Sequence, residues 1–299
     1  MESVEAPARA FGGQSMWAPL RRVMVRRPAP PATPDDWRAF GFLHPVDHNL
    51  AEREHAAFRA LLTEAGVEVI EGGPDAPGQL DAIFAYDPSL ITDHGAILLR
   101  MGKEPRRQET AFHAETYREL GIPIIGQIVA PGTVEGGDCF WLDEGTLAVG
   151  RGYRTNEHGI SQLRSLLAPY GIAVLAYDLP HWRGASECLH LMSLVSPVAP
   201  DLAVVFPPLL PVALMQELIE RSWRLVEVPE EEFDSLGCNV LALAPGHCVL
   251  REDNPVTQRC LVEAGCEVRE YKGDEISLNR AGGPTCLTRP LLREADRDG

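Results

Sequence analysis

Residues 57–70 read AFRALLTEAGVEVI, an amphipathic stretch that runs into a glycine and emerges as a short apolar segment. The same order returns four more times: ETYRELGIPIIG at 115–126, QLRSLLAPYGIAVLAY at 162–177, LMQELIERSWRLVEV at 214–228 and QRCLVEAGCEVREY at 258–271. Equivalent turns stand about 40 to 55 residues apart, room for a helix and several strands in each unit. In four copies Gly66, Gly121, Gly171 or Gly265 can supply the left-handed cap that ends the helix. A second set of segments alternates with these: RRVMVRRP, HGAILLR, TLAVGRG, DLAVVFP and NVLALAP, each short and apolar enough for a strand in a mixed sheet. Five strand, helix and strand units point to an α/β chain with radial repetition about an axis. In such a propeller-like ring, residues far apart in sequence converge. An ordinary α/β sheet with coincidental glycines is the plainer alternative.

With 299 residues, 45% apolar and 23% charged, the chain can bury a substantial core. It is expected to form one domain over 1–299, with loops at 28–49 and 71–79 and mobile ends at 1–12 and 293–299. The formal charge of -16 argues against nonspecific partnership with nucleic acid or an anionic membrane surface. Seven cysteines, at 139, 188, 238, 248, 260, 266 and 286, are odd in number and lack zinc-finger spacing, so a reduced compartment is the simpler reading. No apolar run reaches membrane-spanning length, and the opening MESVEAPARAFGGQS has neither the basic region nor the apolar core of a signal peptide. A cytoplasmic location is the default expectation. Neither a phosphate loop nor a nicotinamide fingerprint follows a suitable strand, and no metal cluster is apparent, so no cofactor and no metal are expected. A homodimer is the base-rate expectation.

The block Gly282-Gly283-Pro284-Thr285-Cys286-Leu287-Thr288-Arg289-Pro290 is too rich in glycine and proline for a helix core and can present a thiolate on a fixed turn. Together with LDAIFAYD at 80–87, RRQE at 106–109, EGGD at 135–138, GRGYRTNEHG at 150–159, CLHLMS at 188–193 and GCNVLAL at 237–243, in this order, the chain resembles the guanidine-modifying family of dimethylarginine dimethylaminohydrolase and arginine deiminase. That resemblance implies a five-bladed αβ propeller, the pentein fold, and hydrolysis of a small guanidino amino acid through a covalent cysteine intermediate.

By the same resemblance, Cys286 is the nucleophile, His190 the acid and base, and Glu135 a guanidinium-binding carboxylate. Their chemistry suits a resonance-stabilised guanidinium carbon, which needs a thiolate at close range and carboxylates to fix its plane. Asp87 is implied as a second guanidinium ligand, Asp81 as a supporting acid, and Asp138 as either a ligand or a turn stabiliser. Arg107 and Arg154 match positions that hold a substrate α-carboxylate, and Asn239 either positions the substrate's polar end or braces its loop. Two departures bear on the substrate. Met192 stands two after His190, where arginine deiminases carry an acid and dimethylarginine hydrolases another polar residue, and Tyr86 replaces a charged neighbour. Loss of the acid favours a site tolerant of N-methyl groups, hence hydrolysis of dimethylarginine or monomethylarginine to citrulline and a methylamine. Arginine deimination, hydrolysis of another guanidino compound, amidino transfer and a non-catalytic binding module are the alternatives.

Overall fold

Helix faces and strand runs assemble in the computed structural model as the repeats lead one to expect; residues 10–73, 77–185, 187 and 189–294 are described. The first unit runs β1 (Leu20–Val25), α1 (Asp36–Phe40), α2 (His48–Glu64) and β2 (Glu68–Glu71). The second is β3 (Ser89–Thr92), β4 (Gly95–Leu98), α3 (Glu109–Glu119) and β5 (Ile124–Gln127). The third is β6 (Cys139–Asp143), β7 (Thr146–Arg151), α4 (Glu157–Leu167) and β8 (Ala173–Asp178). The fourth is β9 (Val195–Ala199), β10 (Leu202–Val205), α5 (Val212–Glu220) and β11 (Arg224–Glu227), and the fifth β12 (Leu241–Ala244), β13 (His247–Arg251), α6 (Pro255–Glu263) and β14 (Glu267–Tyr271). The last strand, β15 (Arg289–Arg293), returns to the first unit.

Each unit is a three-stranded mixed sheet, in the orders β15-β1-β2, β3-β4-β5, β6-β7-β8, β9-β10-β11 and β12-β13-β14. The middle strand pairs antiparallel with one neighbour and parallel with the other, for example Ala148 opposite Phe140 and opposite Leu175. The parallel pair requires a crossover, and the helix supplies it. In α4 the crossover buries Ile160, Leu163 and Leu167 on one stripe while Glu157, Ser161 and Arg164 face water. Burial of each such side chain stabilises by roughly 1.5–3 kcal/mol. Asn156 starts this helix by accepting the Gly159 N–H at 2.9 Å.

The four glycines expected to end helices all have positive φ, from 69° at Gly121 to 96° at Gly265. The fourth unit solves the same turn with Ser222 at φ 58°. NVLALAP differs from its apparent equivalents: it contains β12, an antiparallel flanking strand, and the middle strand of that sheet is β13. Apart from β12, the sequence reading had no place for the flanking strands β3, β6, β9 and β15. At the chain ends, Gly12 donates its N–H to the Leu291 carbonyl at 2.8 Å and accepts from the Arg293 N–H at 2.9 Å. Residues 12 and 293 are therefore held, while 1–9 and 295–299 lie outside the described residues. Among the described residues no helix is long and apolar enough to cross a membrane, and the six described cysteines form no disulfide; Cys188 lies outside them.

The flanking strands matter for function. Asp87, Glu135, His190, Asn239 and Cys286 each stand two to five residues before the first residue of β3, β6, β9, β12 and β15. Strands β9 and β12 touch, as do β12 and β1, and β15 and β3. One structurally equivalent loop per sheet thus delivers one polar side chain to a common place.

Candidate active site

That place is a cavity of about 100 Å³, lined among others by Asp81, Asp87, His190, Asn239 and Cys286. Cys286 sits at partial burial in a tight loop fixed by the Leu287 N–H on the Gly283 carbonyl at 3.1 Å and the Thr288 N–H on the Thr285 carbonyl at 3.1 Å. The paired glycines have a steric cause: a Cβ on Gly283 would lie 2.5 Å from Cγ of Asn239. Asn239 reaches the sulfur itself, donating from Nδ2 to Sγ at 3.2 Å while its Oδ1 accepts the Thr285 N–H at 3.1 Å.

His190, buried, places Nε2 2.8 Å from Oε2 of Glu135. The second glycine of EGGD makes this approach possible, since a Cβ on Gly137 would overlap the imidazole ring. Glu135 has no solvent exposure. It also accepts the Lys103 backbone N–H at 2.9 Å and Nη1 of Arg154 at 3.1 and 3.2 Å. Burial pushes its carboxyl pKa up, but the His190 hydrogen bond and the Arg154 charge together outweigh burial and hold it well below the ordinary carboxylate range. Glu135 is therefore an anion aimed at the imidazole.

Asp87 accepts the Gly137 N–H at 2.8 Å and Nη1 of Arg106 at 2.6 Å. Asp81, nearly without exposure, is met by Lys103 Nζ at 2.5 Å and Arg280 Nε at 3.3 Å. Burial opposes its ionisation, yet Arg280 and Lys103 keep its pKa lowered. Burial in turn brings Lys103 down to about 8 against the pull of Asp81. Among the described residues Asp87, Glu135 and His190 bring ligand atoms within 4.8 Å of one another, a spacing that a metal ion could bridge. Both carboxylates are already engaged by internal arginines, Arg106 on Asp87 and Arg154 on Glu135.

Several expected residues stand elsewhere. Arg107 does not line the cavity: its guanidinium meets the Glu104 carboxylate at 3.1 Å and the Met101 carbonyl at 3.4 Å toward the surface. Arg106 is the buried member of the pair, forked onto Glu109 at 2.8–3.1 Å. Both arginines have an acid three residues away, so spacing alone does not say which pair is interior. Asp138 is turned from the cavity and accepts the Leu191 N–H at 3.0 Å, fixing the residue after His190; burial raises its pKa to about 6. Arg154, Met192 and Tyr86 do line the cavity. The Tyr86 hydroxyl is directed at the Cys139 carbonyl at 3.4 Å, and Arg289 lies 3.7 Å over its ring.

The sequence reading missed Arg280, and it missed the mouth of the cavity. There Trp182 meets Phe233 edge-on at 6.2 Å, and Arg183 forks onto Asp234 at 2.8 and 2.9 Å. Arg183, Leu236 and Ala281, all lining residues, have φ values of 52°, 72° and 59°, so local backbone strain gathers here.

A family model described as arginine deiminase matches residues 81–222 and 208–293. The N(G),N(G)-dimethylarginine dimethylaminohydrolase of Streptomyces coelicolor is 31% identical over 256 residues, covering 83% of this chain and 89% of that one. The arginine deiminase of Listeria welshimeri is 29% identical over 253 residues, 71% of this chain; the chain spans 61% of that relative. A solved structure of dimethylarginine dimethylaminohydrolase from Pseudomonas aeruginosa, a cysteine-to-serine mutant complexed with citrulline, superposes with TM-score 0.73 at 23% identity, covering 90% of this chain and 98% of that one.

Proposed function

Because the chain belongs to the arginine deiminase family, shared with dimethylarginine dimethylaminohydrolase, we propose that it hydrolyses an Nω-methylated arginine to citrulline and a methylamine. The observation that carries this reading is the convergence of Cys286, His190 and Asp87 from three equivalent loops on one cavity, with Glu135 of a fourth loop buried behind the imidazole at 2.8 Å. We also infer that the five sheets are blades of one αβ propeller spanning a single domain; the contacts of β12 with β9 and β1, and of β15 with β3, support it.

In this mechanism the Cys286 thiolate attacks the guanidinium carbon, whose plane Asp87 fixes through a carboxylate that in the structure receives a guanidinium group from Arg106. The C–N bond to the methylated nitrogen breaks as His190 delivers a proton to it, and the amine leaves. A thiouronium remains on sulfur. Water attacks its carbon and His190 takes one of the water's protons; C–S cleavage then returns the thiolate and releases the ureido product as the remaining hydroxyl proton passes to the released amine or solvent. Glu135 holds the imidazole in place and stabilises its protonated form. Arg154, which lines the cavity while paired with Glu135, supplies the cation for the substrate carboxylate. Met192, Leu189 and Trp182 give the cavity an apolar wall that accepts methyl groups, where an acid would demand N–H donors.

Product analysis tests the reading. Purified enzyme is offered dimethylarginine, monomethylarginine and arginine at equal concentration, and citrulline, methylamines and ammonia are quantified by mass spectrometry. Citrulline with a methylamine as the dominant products is expected; ammonia from arginine as the dominant product would overturn the methylated-substrate assignment.

A further inference from the structure

The geometry assigns Asn239 a catalytic role: we propose that its side-chain amide is a thiolate-stabilising donor to Cys286. This differs from binding the substrate's polar end. Three contacts decide how the amide is oriented. Oδ1 is occupied by the Thr285 N–H at 3.1 Å, so the amide cannot rotate to exchange its oxygen and nitrogen without leaving a buried backbone donor unpaired. With the oxygen committed, Nδ2 is directed at Sγ, 3.2 Å away, and carries hydrogens for it. Gly283 has no Cβ, which would press within 2.5–2.6 Å of the amide, so the loop leaves space for this side chain and no larger neighbour.

Asn239 is itself buried, and Thr285 ties the nucleophile loop back to the same strand entrance through its hydroxyl on the Val240 carbonyl at 3.2 Å. The residues that flank Asn239 and Cys286 are thereby clamped to each other, and the donor distance is set by covalent geometry on both sides. A hydrogen bond strengthens when its acceptor becomes charged. The amide therefore favours Cys286 as the thiolate, the form that attacks. In the ionisation only the S–H bond breaks and its proton passes to solvent; as the C–S bond forms, negative charge leaves sulfur and the hydrogen bond relaxes to its neutral strength.

The inference rests on Cys286 being the nucleophile but not on the identity of the substrate. The test is accordingly substrate-free: the pH dependence of alkylation of the Cys286 peptide by iodoacetamide, followed by mass spectrometry in wild type, Asn239→Ala and Asn239→Asp, with thermal melts of each. The Asp variant keeps an acceptor for the Thr285 N–H but has no hydrogen for sulfur. A donor role predicts that the alkylation midpoint rises by about one to two pH units in Asn239→Ala, and by at least as much in Asn239→Asp. A midpoint unchanged in Asn239→Ala, or one at the wild-type value in Asn239→Asp while Asn239→Ala shifts, would assign Asn239 to bracing alone and overturn the proposal. Persistent turnover in Cys286→Ser would instead overturn the reading on which it rests.

Discussion

Replacing Glu135 by glutamine keeps the shape of the side chain and removes its charge from a site with no solvent exposure. The carboxylate accepts from three donors: the Lys103 N–H, Arg154 Nη1 and His190 Nε2. A glutamine has one acceptor oxygen to share among them: its NH2 must face either the Lys103 N–H or His190, and Arg154 Nη1, which reaches both carboxylate oxygens, keeps only one acceptor. One buried donor is then left unpaired, and Arg154 loses its counter-ion in the interior. Breaking a buried pair from one side costs about 3–5 kcal/mol. For a chain of this length that corresponds to a fall in Tm of roughly 5–8 °C. The loss of charge also removes the stabilisation of the imidazolium, for which a fall in kcat of about 10²–10⁴ is expected. The sign of the pH dependence is fixed by the direction of the shift: a carboxyl held below its ordinary value of 4.5 stabilises fully above that pH and loses its contribution as pH falls toward the folded value. Across about pH 8 to 3 the carboxyl's own contribution to the stability gap between wild type and Glu135→Gln should therefore begin to fall only below about pH 4.5. Thermal melts over this range, paired with kcat measured at each pH, make the check. A variant within about 1 kcal/mol of wild type at pH 7, or a gap that does not narrow in acid below about pH 4.5, would refute the assignment of Glu135 as a buried anion shared by Arg154 and His190.

Three further outcomes are expected. Ser222→Gly relieves the left-handed turn of the fourth unit and raises stability by about 0.5–1 kcal/mol in denaturant titration, whereas Gly265→Ser in the fifth lowers it. Glu232 accepts the Val256 and Thr257 N–H groups at 2.7 and 2.8 Å and so caps α6 from a distant loop; Glu232→Ala should lower stability by about 2 kcal/mol with alkylation of Cys286 unchanged. Met192→Asp places an acceptor in the apolar wall, and the ratio of kcat/KM for arginine over dimethylarginine should rise by about tenfold or more; a fall would contradict the role given to Met192.

The repeats were legible because a helix stripe, a left-handed glycine and a parallel strand each leave a local mark, and Gly66, Gly121, Gly171 and Gly265 carry it. The flanking strands other than β12 were hidden. Ser89–Thr92 and Arg289–Arg293 are brief and begin amid turn residues, and their pairing partners are set by tertiary placement; for Arg289–Arg293 the partner lies at the other end of the chain. Without them, the equivalence of the loops carrying Asp87, Glu135, His190, Asn239 and Cys286 could not be seen. Local sequence also left Arg106 and Arg107 indistinguishable, since each has an acid at helical spacing and only burial separates them. Asp138 was drawn toward the site by its place in EGGD, yet the backbone of Leu191 claims it. The mouth residues Trp182, Arg183, Phe233 and Asp234 lie in segments whose proximity no short motif encodes.

The central claim is that Cys286 forms a covalent intermediate after the methylated nitrogen has left. Acid quench during turnover of dimethylarginine, with the guanidinium carbon and the methyl groups carrying different isotopes, measures this directly on the Cys286 peptide. An adduct that retains the guanidinium carbon and lacks the methyl label is the expected result. An adduct that retains the methyl label, or turnover that continues in Cys286→Ala, would contradict it.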